Sequence, residues 1–392
     1  MKKEKHTDIK KVDDASRDAM VHREHVHAEK KPRKFLVPTI IVVCLLVIAG
    51  GVGAYFGLIQ KRLAPAANNT PQFGETNSEG TARKPYYSPL SGLETTKELS
   101  IRRPIAVMLG NDPVARPLSG LSKAEIIVEM PVLIDDITRL MPIYQINDPK
   151  EIGGIRSARH NFIDIANSFN ALMVHWGGSF RALSYFQDGK IDHVDGINDG
   201  GAFYRVARKA APYNGYSTFD KIRTQAESKG YDLSKSFSGY EFKDDAEEAV
   251  RPASGTLEIP YPGSEEVSYQ YDTASNTYRR FNKGLAQKDE IDGTALAAKN
   301  IIVMRTTYSS LLGTQYLDVK VTGSGDCTLY QDGKSLPCTW KKSASDPHSA
   351  LTFVDAKGKQ LPLNRGQTWI EIVKTSYNVT WKSVAKAAET TK

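Results

Sequence analysis

The sequence predicts an α/β domain on a mixed sheet, then a mostly antiparallel β domain, both behind one N-terminal transmembrane helix. Three observations carry this. Between residues 89 and 240, short apolar runs alternate with helical stripes. From residue 266 the texture changes to short alternating segments divided by Gly, Asn and Asp turns. And 25 consecutive residues, Phe35 to Ile59, carry no charge. The length of 392 residues suits two folded domains with appendages, and 40% hydrophobic and 25% charged residues exclude wholesale disorder and a coiled-coil rod. Three Cys exclude a disulfide-dense scaffold and a multi-cysteine zinc or iron–sulfur protein.

In chain order, residues 1–34 hold eleven Lys/Arg against seven Asp/Glu, so more than half of the net charge of +7 sits in a short tail. His6, His22, His25 and His27 lie there without a carboxylate or Cys framework to close a metal site, and the segment reads as a solvated cytoplasmic tail. Residues 35–59 are long enough to span a bilayer core, which needs about 20 apolar residues. The basic flank Lys30, Lys31, Arg33, Lys34 outweighs Lys61 and Arg62 and keeps the N-terminus in the cytoplasm. A cleavable signal is the rival, but the apolar run exceeds its usual length and the leading tail is long. Cys44 has Val42 and Val43 before it, not the small residue a lipidated Cys requires, and reads as a small hydrophobe. Residues 60–88 are a flexible stalk rich in Asn, Thr, Gly, Pro and Ala.

Within 89–240, Ile105–Leu109, Glu125–Met130, Ile137–Ile146 and Ala171–Trp176 read as strands. Ser157 precedes a stripe of Phe162, Ile165, Ala166 and Phe169; Gly177-Gly178-Ser179 opens a helix carrying Phe180, Leu183 and Phe186. Ser217 with Asp220 resembles a capping box, with Gly230 as the stop. Residues 241–265, acidic and then Pro/Gly-rich, read as a linker. In 266–375, residues 300–304, 351–354 and 368–373 are strand-like, and Asp332-Gly333 marks a hairpin. Cys327 and Cys338 flank it; an oxidising compartment favours a disulfide, with two free thiols as the alternative. Residues 376–392 are left as a tail.

The densest polar cluster lies in the first domain. Arg116, Arg139, Arg156 and Arg159 fall at strand ends and a helix entrance, near His175 and the Gly177-Gly178-Ser179 turn. Guanidinium groups bind carboxylate or phosphate bidentately, and a helix start attracts an anion, so an anion-binding crevice is expected. The competing reading pairs these arginines with Glu125, Glu129, Asp135, Asp136 and Asp164. Catalytic signals are weak. His175, Ser179 and Asp192 or Asp195 supply triad residue types, but Ser179 reads as an N-cap and no Gly-x-Ser-x-Gly elbow occurs. His193 near His175 lacks a metal-binding motif, and no P-loop or dinucleotide fingerprint is present, so neither metal nor cofactor is expected. The near-balanced folded part shows no basic–aromatic interleaving and argues against nucleic acid.

These residues resemble the YerB-like bacterial envelope proteins, a two-domain family described as lipoproteins of unknown function. The carrying segments are Arg103–Met108, Ala115-Arg116-Pro117, Ser119–Ser122, Ile137-Thr138-Arg139, Ile152-Gly153, Arg156–Arg159, His175 with Gly177–Ser179, and Arg208 with Ala211-Pro212. Thr339-Trp340-Lys341 and Pro362–Glu371 continue the match, which covers about residues 85–375. Two departures stand out: the family's lipidated Cys has no counterpart, and Tyr213 stands where the family often has His. The resemblance implies an extracytoplasmic location and a two-domain architecture, with no established activity. The expectation is a membrane-anchored binding or scaffold protein whose arginines hold an anionic wall polymer or another envelope protein. An envelope hydrolase or phosphotransferase using His175 as acid or base is the alternative, and a partner-docking β domain is compatible with the first reading.

Overall fold

The computed structural model describes residues 85–385 except 135, 136, 236, 262, 264, 265 and 312. The predicted tail, the 35–59 helix and nearly all of the stalk therefore lie outside the described residues. Among those described, no helix is long and apolar enough to cross a membrane.

Chain order gives β1 (Ile105–Val107), β2 (Ile126–Pro131), β3 (Thr138–Tyr144), α1 (His160–Asn167), β4 (Leu172–His175), α2 (Phe180–Gln187), β5 (His193–Asp195) and α3 (Phe219–Ser228). The second half supplies β6 (Ser254–Pro260), β7 (Glu266–Asp272), β8 (Thr277–Asn282), β9 (Asn300–Thr306) and β10 (Gly323–Gln331). It ends with β11 (Lys334–Lys342), β12 (Thr352–Val354), β13 (Thr368–Lys374) and β14 (Thr380–Val384).

One large mixed sheet runs β12-β11-β10-β9-β13-β2-β3-β1-β4-β5. Its centre is β13, parallel to β9 on one side and to β2 on the other, with Ile370 opposite both Ile302 and Val128. Strands of the two predicted domains thus share a sheet, and the described residues gather into one compact unit. The pleat explains the shared core. Alternate residues of β2 point to opposite faces. Ile126, Val128 and Met130 pack with Phe162, Ile165 and Ile370, whereas Ile127 packs with Tyr144, Phe219, Leu257 and Trp369. A central strand covered on both sides must be apolar throughout, and all six residues of β2 are buried. A second, antiparallel sheet, β8-β7-β6-β14, lies on the α3 face. Its strands β6 and β7 alternate buried with more exposed positions, as a half-buried strand should.

Several local expectations change. Ser254–Pro260 is a paired strand rather than linker, and Thr380–Val384, assigned to the tail, pairs with it. Tyr86–Tyr87, assigned to the stalk, pairs with Glu94–Thr95. Helix α1 starts at His160 behind Arg159, because the Ser157 hydroxyl is taken by Arg159 Nη1 at 2.8 Å. Helix α3 is capped by Thr218, since Ser217 Oγ donates instead to the Ala202 carbonyl at 2.6 Å. On α2 the buried residues are Ala182 and Phe186, while Phe180 and Leu183 are exposed.

The Asp332-Gly333 hairpin joins β10 and β11 in the expected register, opposing Cys327 to Cys338, whose sulfurs are bonded. Replacing both with Ser should cost about 2–3 kcal/mol by freeing the unfolded chain. Urea denaturation measures this; an unchanged midpoint would contradict a stabilising bond.

Where the two halves meet, Glu129 of β2 and Glu371 of β13 lie directly opposite each other, both fully buried. Arg280 of β8 reaches between them, donating through Nη2 to Glu129 and through Nη1 to Glu371 at 2.9 Å, with its guanidinium 4.2 Å over the Trp369 ring. Glu371 also accepts from the Tyr261 and Tyr269 hydroxyls, and Glu129 from Asn111 and Thr138.

Candidate functional site

Segment 153–159 threads between the ends of β1 and β4. The Arg156 amide donates to the Met108 carbonyl at 2.9 Å, and the Trp176 amide donates to Arg156 at 3.0 Å. The Ala158 amide donates to Gly177, and that of Ser179 to Ala158. This close threading needs residues without side chains. A Cβ on Gly153 would fall 2.1 Å from the Tyr216 ring, and one on Gly110 would fall 2.8 Å from Arg156 Cγ. The absence of a side chain at Gly110 lets the Arg156 stem cross toward Arg139, whose strand pairs Arg139 with Gly110 itself.

Arg139, Arg156 and Arg159 therefore converge. Arg139 is only 2% exposed, yet its one charged contact among the described residues is Asp112, with Nη1 3.5 Å from Oδ2. Arg156 donates to the Pro212 carbonyl at 3.3 Å and lies 4.9 Å over the Tyr213 ring. Arg159, 8% exposed, donates to Ser157 and Ala158 and lies 4.8 Å over Tyr316. The Nε groups of all three are buried without a hydrogen-bond partner among the described residues. Burial first, then the positive charges of Arg159 and Arg156, pull Arg139 down to about 9, which still leaves it charged at pH 7. At the start of α1, the amides of His160 and Asn161 make no hydrogen bond among the described residues. They add the positive end of a helix dipole beside Arg159.

Of the carboxylates expected to neutralise these arginines, Glu125 and Glu129 are occupied elsewhere. Glu125 accepts from the amides of Gln145, Ile146 and Asn147. Glu129 belongs to the Arg280 network, Asp164 makes no ion pair among the described residues, and Asp135 and Asp136 lie outside them. Asp112, which sequence reasoning missed, is the carboxylate facing the cluster, and the Tyr213 hydroxyl holds its other oxygen at 3.2 Å. Among the described residues the cluster thus combines three guanidinium groups, two aromatic walls and one carboxylate, a net positive set suited to binding an anion.

The other predicted residues are placed differently. Arg116 lines another cleft, of about 430 Å³, with Pro113, Pro117 and the 282–288 segment. Gly177 adopts φ +69°, and Ser179 Oγ caps α2 by accepting from the Ala182 amide, so the turn shapes the helix entrance. His175 is fully buried, stacked on Phe186 with centroids 4.1 Å apart. Its Nδ1 donates to the Gly177 carbonyl at 2.8 Å and its Nε2 accepts from His193 Nδ1 at 3.0 Å. Burial lowers it to about 4, so it is neutral at pH 7 with both nitrogens engaged. Asp195 accepts from the Gly177 and Ile197 amides and from Asn198. This is the architecture of a braced turn rather than of an acid–base pair facing a substrate. Among the described residues no group of three or more His, Cys, Asp or Glu could hold a metal.

Fold and site together define a strand-rich mixed-sheet protein with an underpaired arginine cluster at a helix entrance. The chain belongs to the family described as Protein of unknown function (DUF3048), whose N-terminal domain matches residues 90–232 and C-terminal domain residues 257–370. It is 34% identical over 301 residues to the Bacillus subtilis (strain 168) protein named Putative lipoprotein YerB, covering 75% of this chain and 87% of that one. The crystal structure of the YerB protein from Bacillus subtilis matches with a TM-score of 0.68 at 30% identity, over 75% of this chain and 99% of that one.

Proposed function

We propose that this chain is a membrane-anchored, extracytoplasmic binding protein of a bacterial cell envelope, holding an anionic group of a wall-related ligand between Arg139, Arg156 and Arg159. The relative's name as a lipoprotein supports the location. The uncharged run at 35–59 supports a transmembrane anchor in place of a lipid, with the N-terminus in the cytoplasm. The observation that carries the binding reading is Arg139, an almost wholly buried guanidinium with one long contact to a carboxylate among the described residues. A buried cation left so poorly compensated is costly unless a guest supplies negative charge.

Retention on purified cell-wall polymer tests the reading. Arg156→Ala and Arg159→Ala should each lose a charge-assisted contact, about 1.5–3 kcal/mol, which weakens retention by ten-fold or more. Wild-type retention by both variants would overturn it.

A further inference from the structure

A cavity of about 540 Å³ opens beside the arginine cluster, between α1, α2 and the 307–322 segment, and two acceptors of its lining residues are left without a partner among the described residues. Two of its donors turn away from the space. Arg181 donates to Asp318 Oδ2 at 3.3 Å, and Asn161 Nδ2 donates to the Val319 carbonyl at 2.7 Å. His160, 2% exposed, gives its Nε2–H to Asp318 Oδ1 at 2.9 Å, which leaves a lone pair on Nδ1 that meets no partner among the described residues.

The second leftover acceptor is Asp164, one turn further along α1. Its carboxylate lines the cavity and has no hydrogen-bond partner among the described residues. The three cations that act on it most strongly among the described residues are held by other groups. Lys342 Nζ donates to the Pro347 and Ser349 carbonyls, Lys190 lies 3.9 Å over the Tyr185 ring, and Arg181 holds Asp318. Burial, with no cation in contact, raises Asp164 to about 6.

We infer that this cavity is a second binding site, separate from the arginine cluster, and that it takes a primary ammonium group, with Asp164 as its anionic anchor and His160 as a supporting acceptor. A metal ion is a poorer match, because no third ligand joins the set among the described residues. An ammonium has three donors and one positive charge, which fits an unpaired carboxylate beside an imidazole lone pair.

Ligand-observed NMR on the full-length protein tests this with three probes of one shape: n-propylammonium, n-propanol and propionate. The site predicts that n-propylammonium binds at least ten-fold more tightly than either isostere, and that Asp164→Asn weakens it ten-fold or more. A cooperative thermal melt shows that the variant folds, and the probe ranking on wild-type protein stands whether or not it does. Arg139→Met should leave n-propylammonium binding unchanged, which separates this site from the anion site. Equal binding of the three probes, no binding of n-propylammonium, or an Asp164→Asn protein with wild-type affinity would each overturn the inference.

Discussion

Arg280→Met is expected to destabilise the protein by about 3–5 kcal/mol at pH 8, and by much less at pH 5. Met keeps most of the packing over Trp369 but removes the cation from between Glu129 and Glu371, which face each other on adjacent buried strands. Two uncompensated carboxylates then share a site from which water is excluded. At low pH they escape the penalty by taking up a proton. The wild-type protein has a milder form of the same dependence. Burial first, and then the neighbouring Glu129 charge, hold Glu371 well above the usual carboxylate range. Its proton is held more tightly in the folded chain than in the unfolded one. The stability this confers is complete below the ordinary carboxyl range and is lost as pH rises through the folded value. Urea denaturation of both proteins at the two pH values measures the effect; an equal loss at pH 5 and pH 8 would show that Arg280 matters only for packing.

Arg139→Met is expected to behave in the opposite way, with stability unchanged or raised and binding lost. Arg139 sits among two further guanidinium groups and contributes one long contact to Asp112. Removing it relieves repulsion from Arg159 and Arg156 and the burial of a poorly paired ion, while Asp112 keeps the Tyr213 hydroxyl as a partner. The same change takes away the innermost charge of the cluster, so retention on anionic wall polymer should fall more than for Arg156→Ala or Arg159→Ala. A residue kept at a cost to stability marks a site selected for what it holds.

Much of this arrangement was legible in the sequence because it is written in local chemistry. The apolar runs of β2 and β4, the Ser179 cap and the Asp332-Gly333 turn depend on neighbours a few residues away. The β6 strand escaped because flanking Pro and Gly hide the alternation of Leu257 and Ile259. The insertion of β13 beside β2 escaped because parallel pairing of residues about 240 positions apart leaves no local period. At the site, helix entrances and strand ends identified the three arginines that meet. Arg116 was grouped with them by sequence proximity to β1, whereas its side chain turns to a different cleft. Tyr316 under Arg159 comes from a distant hairpin and carries no signal near the cluster. His175 looked available as a strand-end imidazole, but the helix stripe that supplies Phe186 covers it.

The most direct measurement is the denaturation midpoint of wild-type and Arg139→Met protein, each with and without purified anionic wall polymer. A guest-seeking guanidinium cluster predicts that the bare variant unfolds at or above the wild-type midpoint and that polymer raises only the wild type. A bare variant that unfolds well below wild type, with polymer shifting both proteins alike or neither, would contradict it.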